Sequence, residues 1–233
     1  MKLTKNQKAI LAITSIFAVS AVVVAWVYRK NILNAGKSAF KASSDFKNKL
    51  VKNVLAEYKK WNQGNTKEGD PSTMDNLRNY WATVGWANRS DHTKINTPWS
   101  AAFISHVMEK SGSGADFKKS ASHSTYIVDS IKNRKNNTGV FKGYKPDEVK
   151  IEVGDLIGRP RQNGVTYDTT GNYASHTDIV VEVTPNEAKM IGGNVGNSVT
   201  MTKVPLENGK IAVSKRQTAS KPKNYHVVIK NLK

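Results

Sequence analysis

Residues 97–112 read TPWSAAFISHVMEKSG, a stretch typical of an amphipathic helix that opens on a cap and ends on glycine. Thr97 is a favourable N-cap, and Pro98 suits the first helical position. Four apolar residues form one face of this helix: Phe103, Ile104, Val107 and Met108. We expect the helix to end at Ser111-Gly112. Ser100 then occupies about the third position, so the stretch predicts a buried helix with a serine in its first turn.

Similar patterns extend in both directions from this helix. Apolar residues three or four apart predict helices over 46–61, 74–84 and 122–134, the second with a capping box formed by Ser72 and Asp75. From about residue 140 short β-rich runs follow: GDLIGR, HTDIVVEV, AKMIGG, SVTMTKV and YHVVIKNL. Helices followed by strands predict an α+β domain over 46–233, with the helices packed on an antiparallel sheet or a small β-barrel.

The N-terminus carries a long apolar run. Residues 9–28 read AILAITSIFAVSAVVVAWVY without a charge, about the ~20 residues that span a bilayer as a helix. We therefore predict a transmembrane anchor over 1–30, a basic juxtamembrane linker over 31–45, and a single-pass membrane protein that contacts lipids through both. A cleaved signal peptide is the rival interpretation, because Val19-Ser20-Ala21 resembles a cleavage site.

Charge is strongly unbalanced, with 36 Lys and Arg against 18 Asp and Glu, a formal charge of +18. The membrane orientation stays open: three lysines precede the apolar run and five basic residues follow it by residue 47, so the positive-inside rule leans weakly against an exported C-terminal domain. Anionic lipids and anionic wall polymers fit this charge. The absence of a recognition-helix, RNP or zinc-finger pattern argues against nucleic acid. Without cysteine, covalent catalysis needs another nucleophile.

Three polar residues could form a catalytic arrangement. Ser100 in a first helical turn lies beside unpaired backbone N–H groups and the positive end of the helix dipole, which favour a developing negative charge. His176 begins the run HTDIVVEV and could act as general base. Asn194, after two glycines, could orient the imidazole, with Asp178 as a rival for that role.

Five ordered blocks carry a resemblance to a known family: PWSAAFISHVMEKSG, SASHSTYI, GDLIGRPR, SHTDIVVEV and IGGNVGNSVTM. Together they resemble the bacterial and phage domain of unknown function 2272, placed among NlpC-like, papain-type hydrolases. The resemblance implies a papain-like fold, with Ser100 in the place of a cysteine nucleophile, His176 as the base and Asn194 as its orienter. Serine is much harder to ionise than cysteine.

Further residues could line a substrate cleft. These are Trp99, His123, Asp155, Tyr173 and Asp178. His123, His176 and Asp178 or Asp155 could instead bind zinc in a metallopeptidase, but no HExxH motif is present. We therefore expect neither a metal nor another cofactor.

The sequence thus favours an enzyme, a membrane-anchored peptidoglycan hydrolase of the peptidase or amidase type. Its expected partner is peptidoglycan or another anionic wall polymer, and its catalytic domain would lie outside the cytoplasmic membrane or in a virion membrane. The alternative is a catalytically inactive wall-binding or virion membrane protein of the same fold, because Ser100 replaces the usual cysteine.

The apolar run generates the first testable prediction. The protein should be extracted from membranes only by detergent, whereas a chain that begins at Asp45 should be recovered without it. Fractionation of membranes with carbonate and with detergent measures this difference. Recovery of the whole chain, at unchanged mass, in the carbonate fraction would exclude the anchor.

Overall fold

The computed structural model describes residues 45–212 and 225–233, in which helices come first and strands follow. The helices of these residues are α1 (45–60), α2 (Met74–Thr83), α3 (Asp91–Asn96), α4 (Ser100–Lys110) and α5 (His123–Lys135). The strands are β1 (Phe141–Tyr144), β2 (Leu156–Pro160), β3 (Ser175–Val183), β4 (Glu187–Gly192), β5 (Thr200–Glu207), β6 (Lys210–Ile211) and β7 (Val227–Asn231). The domain is therefore α+β, as the sequence predicts.

The strands form one antiparallel sheet in the order β1-β7-β2-β3-β4-β5-β6, curled into a half-barrel. Alternation along the strands divides the apolar side chains between its two faces. Leu156, Ile179 and Ile229 pack with the helices, whereas Ile157, Val180 and Val228 form a second core. The last strand, β7, pairs with both β1 and β2 and so lies inside the sheet.

Helix α4 begins later than the sequence predicts. Thr97 has extended backbone and ends α3, a short helix that the sequence analysis did not anticipate. Trp99 is the N-cap, and its carbonyl accepts the first helical hydrogen bond, from Phe103 N at 2.9 Å. Ser100 is thus the first helical residue rather than about the third. The predicted end is correct, because Ser111 is the C-cap and Gly112 follows with φ of 94°.

The start of α2 also differs from the prediction. Asp70, rather than Ser72, is the capping side chain, and it accepts a hydrogen bond from Ser72 N at 2.9 Å. Pro71 opens a short 3-10 turn that ends at Thr73, and α2 follows from Met74. The capping box over Ser72 and Asp75 is therefore wrong, because proline after an aspartate creates an earlier cap.

The predicted anchor and all but the last residue of the predicted linker lie outside the described residues. Asp45, that last residue, opens α1. None of the helices in residues 45–212 and 225–233 combines the length and apolar character needed to span a bilayer.

Asp155 immediately precedes β2. Its carboxylate is buried and accepts hydrogen bonds from Lys230 Nζ at 2.6 Å and from the backbone N–H of Glu152 at 2.8 Å. Burial raises the pKa of Asp155, and the charge of Lys230 opposes that rise. The structure thus gives Asp155, which the sequence suggested for a substrate cleft, a contact that holds β2 and β7 together.

This buried pair supports a stability prediction. Asp155→Ala should lower the free energy of unfolding by about 3 kcal/mol, because it leaves Lys230 only partly compensated. Asp168→Ala is the matched control, since its side chain is 67% exposed and pairs with Lys135 at the surface. The control should cost less than about 1 kcal/mol. Urea unfolding of both variants tests this, and equal losses would contradict it.

Candidate functional site

Ser100 and His123 form the shortest polar contact between α4 and α5. Ser100 Oγ lies 2.6 Å from His123 Nε2, and the two residues are only 6% and 5% exposed. Each is the first residue of its helix, so two helix N-termini meet at this contact. The first backbone N–H groups of a helix have no partner inside it, and they favour negative charge nearby.

The second ring nitrogen of His123 is held by two hydroxyl groups. Nδ1 contacts the hydroxyl of Tyr126, one turn later in α5, and lies 3.0 Å from Thr177 Oγ1 on β3. The two hydroxyls are 2.9 Å apart. Both can donate or accept, so they permit the tautomer in which Nδ1–H donates and Nε2 accepts the Ser100 proton. In that tautomer, His123 could act as a base toward Ser100.

His123 is neutral in this environment. Burial lowers its pKa well below the usual value, and electrostatic interactions with His176, Arg161 and Arg159 lower the pKa further. Burial also raises the pKa of Tyr126, so its phenol keeps its proton. Neutral imidazole is the form that a general base requires.

His176 makes different contacts from those that the sequence predicts. Its Nδ1 lies 3.2 Å from Arg161 Nη2, and its Nε2 lies 2.9 Å from Asp178 Oδ1. Arginine only donates, so Nδ1 accepts and Nε2–H donates to Asp178. Both nitrogens are therefore occupied, and among the described contacts the hydrogen bond of Ser100 goes to His123. The rings of His123 and His176 are nevertheless close, with centroids 5.2 Å apart.

Strand register explains why Thr177, rather than His176, hydrogen-bonds His123 of α5. Thr177 pairs with Gly158, and a side chain on Gly158 would meet Ile127 of α5. His176 pairs with Arg159, one residue out of phase, so its side chain leaves β3 on the other face, although its ring still lies close to that of His123. A difference of one residue in register therefore decides whether a histidine or a threonine of β3 faces α5.

The two glycines before Asn194 allow close approach of the backbone. A Cβ at Gly192 would lie 1.8 Å from Asp178 Oδ1, and one at Gly193 would lie 2.6 Å from the Phe103 side chain. Asn194 itself has φ of 54°, a left-handed backbone that asparagine tolerates. Asp178, which the sequence analysis kept as a rival orienter, is the residue that contacts the His176 ring.

The family described as an uncharacterized protein conserved in bacteria (DUF2272) matches residues 74–231, more than half of the 233 residues. The chain belongs to the DUF2272 family. The match covers Ser100, His123, His176 and Asn194. Searches of curated proteins and of solved structures gave no match.

Two aromatic residues suggested for a cleft are buried in this DUF2272 domain. Trp99 is fully buried, stacked on Trp61 with ring centroids 4.8 Å apart, and its Nε1 donates to Glu68 Oε2 at 2.5 Å. Tyr173 is also buried, with its hydroxyl 3.2 Å from His226 Nε2. Neither ring is open for stacking against a sugar in this structure.

Some residues of this site have no signal in the sequence analysis. Tyr126 and Thr177 were assigned only to a helix face and a strand, and Arg161 only to a matching block. Their proximity results from packing between distant elements. The described residues contain no group of three His, Cys, Asp or Glu side chains that could hold a metal.

The histidines generate a pH prediction. Burial lowers the pKa of His226 to about 4 and also lowers the pKa values of His106 and His123. An unfolded histidine has a pKa of about 6.5, so below that pH the unfolded chain binds more protons than the folded one. The free energy of unfolding should therefore fall from pH 7 to pH 5, by up to about 1.4 kcal/mol per pH unit for each group.

Urea unfolding at several pH values measures this slope. His123→Gln should flatten it, whereas His92→Gln, at an exposed position, should leave it unchanged. A slope that is identical in the wild type and in His123→Gln would contradict the buried neutral state of His123.

Proposed function

We propose that this protein is a membrane-anchored hydrolase of peptide or amide bonds in peptidoglycan, with Ser100 as its nucleophile. The observation that carries the proposal is the 2.6 Å contact between Ser100 Oγ and His123 Nε2 at two helix N-termini. A hydroxyl hydrogen-bonded to a neutral imidazole, whose other nitrogen is held in place, is the arrangement that activates serine in unrelated hydrolases.

In the proposed reaction, Ser100 Oγ attacks the carbonyl carbon and its proton passes to His123 Nε2. The oxyanion is stabilised by free backbone N–H groups at the start of α4. His123 then gives the proton to the leaving amine as the C–N bond breaks. Water, deprotonated by His123, hydrolyses the resulting ester and restores the Ser100 hydroxyl.

The identity of the base is part of the proposal. The papain-like resemblance assigns it to His176 with Asn194, whereas the contacts favour His123 with Tyr126 and Thr177. We propose His123 as the base. His176, whose Nε2–H donates to Asp178, would then influence the site through its packing against His123.

Peptidoglycan as the substrate is supported by the NlpC-like resemblance and by the charge of the chain. All 18 acidic residues lie at or after Asp45, yet the chain as a whole carries +18. Wall polymers are anionic, and a basic protein held at the membrane would stay close to them.

Access to Ser100 requires movement, because its side chain is nearly buried. The loop between β2 and β3 is fastened beside His123, since Asn172 Oδ1 accepts from the hydroxyls of Ser122 and Ser124 at 2.8 Å each. We propose that release of this contact admits substrate, as surface loops commonly open and close over active sites.

A wall-binding module is the second candidate function. The burial of both Ser100 and His123, with each of their polar side-chain atoms already in a hydrogen bond, favours it. Such a network also stabilises a fold without performing chemistry.

Substitutions distinguish these functions. Ser100→Ala and His123→Ala should each reduce release of peptide or amine from peptidoglycan fragments by at least about 10³-fold, because the pair acts as one unit. His176→Ala should reduce it less, and Asn194→Ala least. Ser100→Cys should retain or increase activity, since a thiolate is favoured at a helix N-terminus. Mass spectrometry of the released products measures the activity of the five variants relative to the wild type.

The controls separate loss of chemistry from loss of fold. Each variant should keep a cooperative unfolding transition, and Ser105→Ala, a buried serine in the same helix that bonds the Ser120 backbone, is the matched control for a change within α4. Loss of activity in His176→Ala but not in His123→Ala would return the base to His176. If wild type and Ser100→Cys both bind fragments without cleaving them, the protein is a binding module.

A further inference from the structure

Two arginines lie next to each other at the end of β2. Arg159 pairs with His176 across the sheet, and Arg161 follows two residues later. Arg161 Nη2 contacts His176 Nδ1 at 3.2 Å. Residues two apart in an extended segment point to the same face, so both guanidinium groups belong to the face that carries His176.

Within the described residues neither arginine forms an ion pair, and the charge of Asp178, which hydrogen-bonds His176, partly balances that of Arg161. Arg159 Nε is buried without a hydrogen-bond partner. Most other described arginines behave differently: Arg78 binds Asp75 and Asp91, and Arg134 binds Glu148. Arg159 is partly buried, and a guanidinium nitrogen left unpaired in such a position is costly because its desolvation is not compensated.

The two positive charges also affect each other and the candidate base, His123. Burial lowers the pKa of Arg161 and the charge of Arg159 lowers it further, whereas the negative charge of Asp178 raises it. Both arginines are close enough to His123 to lower its pKa. An anion bound between them would relieve this repulsion, and it would lie near His123, because Arg161 contacts His176 and the rings of His176 and His123 are close.

We propose that Arg159 and Arg161 bind the free carboxylate of a peptide substrate next to Ser100. This inference rests on the proposed function, because it takes Ser100 as the nucleophile. It adds a substrate class, namely peptides with a carboxylate close to the scissile bond. Guanidinium groups match carboxylates with two parallel hydrogen bonds, a geometry that lysine cannot provide. The subsite would hold a neutral amide much less well.

Binding can be measured without catalysis in full-length Ser100→Ala protein in detergent. The probes are N-acetyl-D-alanyl-D-alanine, the same dipeptide as its C-terminal amide, and inorganic phosphate, each titrated by calorimetry. The free acid should bind at least about 10-fold more tightly than the amide, because the amide lacks the charge that the arginines would neutralise. Phosphate should compete weakly, since it lacks the peptide contacts.

Matched substitutions locate the effect. Arg159→Gln and Arg161→Gln, each added to Ser100→Ala, should remove the preference for the acid, and Arg159→Lys should restore only part of it. Arg89→Gln, an exposed arginine beside Trp86, makes the same change in net charge and should leave the preference intact. Thermal unfolding of each variant confirms that the fold remains.

The outcomes separate this inference from the proposed function. Equal affinity for acid and amide, or an equal loss in the Arg89→Gln and Arg159→Gln proteins, overturns the carboxylate subsite. Phosphate that binds as tightly as the free acid also overturns it, in favour of a general anion site. Selective binding of the acid by a wild type that cleaves no peptide supports the subsite and counts against the hydrolase.

Discussion

Burial of Trp99 is the constraint on which the candidate site depends. The indole stacks on Trp61 and lies near Tyr80, and its N–H is satisfied by Glu68. Because this residue is the N-cap of α4, the packing that holds the indole also fixes the position of the next residue, Ser100. Large aromatic side chains contribute strongly to core stability, so the start of α4 is anchored by some of the most favourable packing in the domain.

The burial of His123 has two opposite effects on proton transfer. His123 is kept neutral by an environment that disfavours its charged form, so it is ready to accept a proton. The imidazolium that forms after proton transfer is disfavoured for the same reason, and neighbouring arginines make it less favourable. An anion bound near Arg159 would reduce that penalty. Substrate charge and base strength would then be linked, because only an anionic ligand would make proton transfer to His123 easier.

Much of the fold could be predicted from local patterns, since the ends of α5 and the strands β2 to β5 follow from periodicity and turn residues. The start of α4 could not be predicted in this way, because Thr97 is the C-cap of α3 rather than the N-cap of α4. Ser100 was identified because a helix N-terminus is a local feature. Its contact with His123 was not identified, because that contact depends on how two helices meet. The residue of β3 that hydrogen-bonds His123 is Thr177, whereas the sequence pointed to its neighbour His176. Alternation alone does not show which of the two faces α5, because that depends on the register of β3 against β2.

The position of β7 in the sheet has a consequence for biosynthesis. This strand enters between β1 and β2, which precede it in the chain by many residues, and all five of its residues are buried. During translation β1 and β2 therefore emerge from the ribosome long before the strand that joins them. Contacts so distant in sequence slow folding, and the unpaired edges are exposed to aggregation meanwhile. A chaperone or a translocation channel that keeps the nascent chain extended until β7 emerges would protect those edges.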